Sequence, residues 1–155
     1  MFDPFAAVLE FHRRFGVVVG ERPGLPDRAT VRLRRALIAE ELAELDQAIA
    51  NADVVEVADA LADLLYVVYG TAISFGIDVR PVFEEVHRSN MAKVGGTTRA
   101  DGKVLKPAGW QPPNIQPLLE GMSIPTDASN RQDEPDESPA RPATKAQRAR
   151  KGSLG

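Results

Sequence analysis

Apolar residues recur at helical spacing in separate stretches of this chain. Val31, Ile38, Leu42, Leu45 and Ile49 repeat in this way and predict a helix from about Asp27 to Ala50. The next stretch is apolar nearly all round, from Val54 through Leu61, Leu64, Leu65, Tyr66, Val68 and Ile73 to Phe75. It predicts a buried helix, capped by Asp53 with Glu56 as its capping-box partner and ended by Gly76. Ahead of both, Asp3-Pro4 opens a short helix that runs to about Phe15 and stops at Gly16. Behind them, Asp78 caps a fourth helix that carries Pro81 in its first turn and runs to about Lys93, before Gly95-Gly96. Glu21 to Pro26 is a loop by its prolines and glycine. Thr97 to Pro113 holds an Asp101-Gly102 turn signal and reads as a hairpin-like arm. The expected fold is an all-α four-helix bundle over residues 1–117, with an irregular C-terminal arm, followed by a disordered tail over 118–155 that is rich in Pro, Ser, Asp, Arg and Lys.

Composition narrows the chemistry. The 155 residues are 43% hydrophobic and 26% charged, an ordinary globular mixture that implies one domain. The net charge of −3 gives no general attraction to nucleic acid or anionic membrane. Without cysteine there are no disulfides and no thiolate metal sites. Met1-Phe2-Asp3-Pro4 does not resemble a secretory signal, and the apolar run from Leu64 to Phe75 is short for a bilayer, so a cytoplasmic location is expected.

Charge is distributed unevenly. From Ala36 to Val79 there is no lysine or arginine, yet the stretch holds Glu40, Glu41, Glu44, Asp46, Asp53, Glu56, Asp59 and Asp63 among leucines, valines and alanines. Carboxylates in such surroundings need protons, remote bases or a cation. Glu40, Glu41 and Glu44 share about a quarter of the second helix's circumference, and Glu56, Asp59 and Asp63 form a stripe on the third, which continues as Val67, Gly70 and Ser74. A short connection makes the two helices antiparallel neighbours, with Glu41 and Glu44 facing Asp59 and Asp63. An all-oxygen donor set suits Mg²⁺ or Mn²⁺. Glu56 and Asp46 are better explained individually as a cap and a surface residue.

Bases return afterwards as Arg88, Lys93, Arg99, Lys103 and Lys106, and His87, Asn90 and Lys93 lie near one face of the fourth helix. An acidic metal cradle with a basic segment fits a metal-bound polyphosphate. Trp110 is expected to anchor the arm onto the bundle, with stacking on a base as the alternative. His12 is expected to pack between helices, with a role beside a base pocket, together with Phe11 and Phe15, as the alternative.

These stretches resemble the MazG-like, all-α nucleoside triphosphate pyrophosphohydrolases, a superfamily that includes phosphoribosyl-ATP pyrophosphohydrolase and dimeric dUTPases. The similarity is carried by Glu40-Glu41-Leu42-Ala43-Glu44, by Asp59 to Gly70, by Val86 to Lys93, and by Asp101-Gly102-Lys103 with Lys106-Pro107 and Trp110. It spans roughly Phe5 to Pro113 and is greatest to the branch with dUTP pyrophosphatase activity. The resemblance implies hydrolysis of a nucleoside triphosphate, dUTP or another dNTP, to the monophosphate and pyrophosphate, for cleansing of the nucleotide pool. It implies Mg²⁺ or Mn²⁺ on Glu40, Glu41, Glu44, Asp59 and Asp63, proton relay by one of Glu40, Glu41 or Glu44, and substrate contacts from His87, Asn90, Lys93, Lys103 and Lys106. It also implies a homodimer or higher assembly, with the fourth helix and arm reaching toward a partner subunit. The family pattern has a glutamate where this chain has Ala60, so either Asp59 substitutes or Glu56 with Asp59 supplies the motif in a shifted register, and a non-catalytic nucleotide-binding or assembly relative is the alternative. A ferritin-like di-iron bundle would use Glu84-x-x-His87, but it needs a second such pair, which His12 does not supply.

Overall fold

Four aspartates start the four long helices, each by accepting hydrogen bonds from backbone N–H groups that the first helical turn leaves free. The computed structural model describes residues 1–125, and the part of the expected tail from 126 to 155 lies outside the described residues. The helices are α1 (Pro4–Arg14), α2 (Arg28–Ala50), α3 (Val54–Ser74), α4 (Val79–Met91) and a short α5 (Gln116–Glu120). Asp3 caps α1 through Ala6 N–H, Asp27 caps α2 through Ala29 and Thr30, Asp53 caps α3 through Val55 and Glu56, and Asp78 caps α4 through Arg80. The capping box at α3 is one-sided: the Asp53 N–H goes to the Ala48 carbonyl at 3.2 Å instead of to Glu56. Gly16 and Gly76 follow α1 and α3 at φ +65° and +69°, the left-handed conformation that ends a helix.

α2 lies antiparallel along α3, and α1 crosses α3. The small core gathers Phe5, Val8, Ile73 and Ile124, with Leu9, Val19, Tyr69, Ala72 and Val79 packed around it. Contrary to the sequence expectation, α3 is not buried. Only Ala60, Gly70, Ile73 and Ser74 are enclosed, while Val54, Val55, Leu61, Leu65, Tyr66 and Val68 are exposed. Two neighbours cannot cover a helix that is apolar all round, and α4 does not pack along it. By length and composition α3 could cross a membrane. Its carboxylate stripe and its pairing with α2 place it in the bundle instead.

The ordered chain also continues beyond the expected boundary at 117. α5 leads the chain back to the bundle, where Ile124 is only 3% exposed and its N–H donates to the Glu21 carbonyl at 3.0 Å. Arg13 donates to the Pro125 carbonyl nearby. One buried isoleucine among polar residues carries no periodicity that would have announced it. The arm is hairpin-like, as expected, with an antiparallel bridge between Thr98 and Val104 and with Gly102 at φ +87° in its turn. It is fastened to α4: the Trp110 indole Nε1–H donates to the Ser89 carbonyl at 2.8 Å, the Ser89 hydroxyl donates to the Gln111 carbonyl at 3.1 Å, and the Asn114 N–H donates to Glu85 Oε1 at 2.8 Å.

Candidate functional site

The pairing of α2 with α3 brings the two acidic sets together. Glu41 is half-buried at the seam between the helices, and Glu40, Glu44, Asp59 and Asp63 are exposed around it. Partial burial, and after it the charges of Glu44, Asp63, Glu40 and Asp59, push the Glu41 carboxyl above its ordinary range. No lysine or arginine offsets that repulsion. Ala60 is 5% exposed, whereas Asp59 one residue earlier is exposed and acts on Glu41. Asp59 also lines a surface groove of about 480 Å³ with Val55, Glu56, Ala58 and Ala62.

The donor set is entirely oxygen and strongly anionic, which fits a hard divalent cation. Among the described residues no three acidic or histidine side chains stand close enough to hold a metal ion as placed. Glu41, Glu44, Asp59 and Asp63 are the residues that can converge on a cation from the two helices.

The basic residues form a second locus. Asn90, Lys93 and Lys103 line a groove of about 470 Å³ between the end of α4 and the hairpin, with Met91, Val94 and Val104. Lys93 Nζ donates to Asn90 Oδ1 at 2.7 Å. Lys106 is drawn elsewhere, its Nζ 4.1 Å from the centre of the Trp110 ring. His87 is exposed on α4 and stands outside this groove. Arg88 and Arg99 are engaged locally, with Glu85 at 2.6 Å and with Asp101. Arg88, together with the Asn114 N–H, holds the Glu85 carboxyl down at about 2. Among the described residues no ion pair joins the acidic locus to the basic one, and α4 has no extended packing on α2 or α3.

Comparison with known proteins matches the phosphoribosyl-ATP pyrophosphohydrolase family model over residues 8–90, which takes in α1 from Val8 onward, all of α2 and α3 with both acidic sets, and most of α4. The chain belongs to the phosphoribosyl-ATP pyrophosphohydrolase family. Its all-helical architecture is that of the MazG-like superfamily. The family is described as one of pyrophosphohydrolases, and members of the superfamily generally depend on a divalent metal. The chain is also 40% identical over 79 residues to an uncharacterised protein of Acanthamoeba polyphaga mimivirus. That match covers 48% of this chain and 32% of the viral protein, so the chain spans about a third of that relative's length.

Sequence reasoning passed over Arg34. It lies on α2, seven residues before Glu41, and its side chain is buried against His12 and Gly70. Spacing showed only that Arg34 shares a helix face with Glu41, since seven residues return a helix to the same face, and gave no sign of its burial. His12 is the helix-packing residue that was expected. It is 2% exposed, and its Nδ1–H donates to the Val18 carbonyl at 3.0 Å.

Proposed function

We propose that this protein hydrolyses a nucleoside triphosphate, dUTP or another dNTP, to its monophosphate and pyrophosphate with Mg²⁺ or Mn²⁺, as a cleanser of the cytoplasmic nucleotide pool. The observation that carries the reading is the convergence of Glu44, Asp63, Glu40 and Asp59 on Glu41 across two helices, with no base among them. A divalent cation there would neutralise phosphate charge and activate water. The residues of the chain supply the rest. Glu41, Glu44, Asp59 and Asp63 hold the cation between α2 and α3. One of Glu40, Glu41 or Glu44 takes the proton of the attacking water. Asn90, Lys93 and Lys103 bind phosphate oxygens, with His87 and Lys106 at the edges of that surface.

A second copy of the chain completes this arrangement. The exposed apolar side chains of α3 need a cover, and the basic groove does not pack on the acidic locus of its own chain. In a homodimer that pairs α3 faces, α4 and the arm of one protomer approach the carboxylates of the other. The test is pyrophosphate release from a panel of canonical and deaminated nucleotides with and without Mn²⁺, combined with light scattering. Release that requires the metal, is lost in Asp63→Asn and comes from a dimer supports the reading. Absence of release from every nucleotide refutes it and leaves the non-catalytic relative, whose sign would be nucleotide binding without turnover.

A further inference from the structure

Among the described residues, Arg34 is a buried cation without a counter-charge. Its side chain is 6% exposed, it makes no ion pair, and its Nε is enclosed with no hydrogen-bond partner. Its one polar contact sends Nη2 toward His12 Nε2 at 3.4 Å. His12 can accept there because its Nδ1 carries the proton given to Val18, and burial together with the Arg34 charge disfavours protonation of the ring. The other terminal nitrogen, Nη1, lies over Gly70 and makes no hydrogen bond among the described residues. Burying a guanidinium with unused donors costs free energy that this chain alone does not return.

The position of this group is defined by the helix pairing. Arg34 lies against Gly70, and the antiparallel pairing of α2 with α3 puts Glu41 level with Asp63. Each pair is separated from the other by seven residues on both helices, so the two lie on one line, about 10 Å apart. That is roughly the reach of a nucleoside from its phosphate to the far edge of its base. Beside the line, Phe11 and Tyr66 are 40% and 41% exposed, with ring centres 5.7 Å apart at 84°. Partly exposed aromatic faces next to hydrogen-bonding groups suit a planar heterocycle. A phosphate would have to shed its hydration to reach a single enclosed cation, whereas the open lysine groove already offers it better terms. A neutral carbonyl oxygen meets Nη1 at lower cost.

We propose that Arg34, held by His12 and admitted by Gly70, is the specificity-determining residue that reads a carbonyl oxygen on the base of the nucleotide. This rests on the nucleotide reading above and extends it to the base. Uracil presents such oxygens and adenine presents none. The probes are dUMP and dAMP, titrated calorimetrically into the full chain, its Arg34→Met variant and its Arg34→Lys variant, with Mn²⁺-pyrophosphate as a third ligand and circular dichroism to check folding. The wild type is expected to bind dUMP more tightly than dAMP. Arg34→Met is expected to lose about 10–100-fold in dUMP affinity, the worth of a charge-assisted hydrogen bond, while dAMP and pyrophosphate binding stay unchanged. Arg34→Lys keeps the charge without the fork, so it folds and falls between the two; it carries the test if Arg34→Met does not fold. Equal binding of the two nucleotides by the wild type, or an equal loss for all three ligands, overturns the proposal. Discrimination by Arg34 without pyrophosphate release would sink the hydrolase reading alone, and release without discrimination would sink this one alone.

Discussion

Replacing Gly70 by alanine sets two physical effects against each other. In an open helix the change stabilises by about 1 kcal/mol, because glycine loses more backbone freedom on folding. Here the new Cβ would stand 2.9 Å from His12 Nε2 and 3.0 Å from Arg34 Nη1. Neither neighbour moves freely: the His12 ring is enclosed and tied to the Val18 carbonyl, and Arg34 is buried. Relief requires separating the two, which sacrifices their hydrogen bond at about 1 kcal/mol, on top of overpacking at about 1–3 kcal/mol. Steric cost therefore wins, and Gly70→Ala should be about 1–3 kcal/mol less stable than the wild type. For a chain of this size that lowers Tm by roughly 3–10 °C. Urea titration read by circular dichroism measures the difference, with an unchanged m-value showing that the unfolded state is not responsible. The same substitution in an Arg34→Ala background should cost clearly less, since the group being struck is gone. A Gly70→Ala protein as stable as the wild type, or more so, would refute the crowded His12–Arg34–Gly70 junction and with it the placement of Arg34.

Other outcomes follow from the same structure. Glu41 is raised in the fold, so its contribution to stability is present at low pH and is lost as pH rises through its folded value; Glu41→Gln should therefore raise Tm at pH 7 without metal and have no effect in acid. The same variant should lose the Tm increase that Mn²⁺ gives the wild type, and scanning fluorimetry reads both effects. His12 is lowered in the fold, so its contribution is present above the ordinary histidine range and is lost as pH falls below about 6.5 toward the folded value; His12→Gln should flatten that part of the stability–pH curve in urea titrations. Ile124→Ala should cost about 2–4 kcal/mol by emptying part of the core, and a chain ended at residue 117 should lose a similar amount in chemical denaturation.

The local part of this structure was legible in the residues. Asp3, Asp53 and Asp78 cap helices where they were expected to, and the helix expected from about Asp27 is capped by that residue, because a cap depends only on a side chain and the N–H groups two or three residues ahead of it. The meeting of the Glu41 and Asp63 helices was legible for a related reason, since a three-residue link forces neighbouring helices to be antiparallel. The Trp110 anchor was also readable as a large aromatic in an otherwise polar arm. Less could be seen of the candidate site's surroundings. Lys106 had the composition of a phosphate ligand, and only the fold shows it lying on Trp110. Arg34 read as one arginine among several at the start of α2, and nothing in its neighbours along the chain announces that His12 and Gly70 enclose it.

By itself, then, the sequence determined where the helices begin and end and which carboxylates share a helical face, because short-range geometry repeats every few residues. Tertiary structure alone decided that α3 keeps an apolar face uncovered, that Ile124 returns to the core, and that Arg34 ends up buried without an anion. Those outcomes depend on which distant segments fill a given space, and contacts between residues far apart in the chain are selected by packing, which no local pattern records.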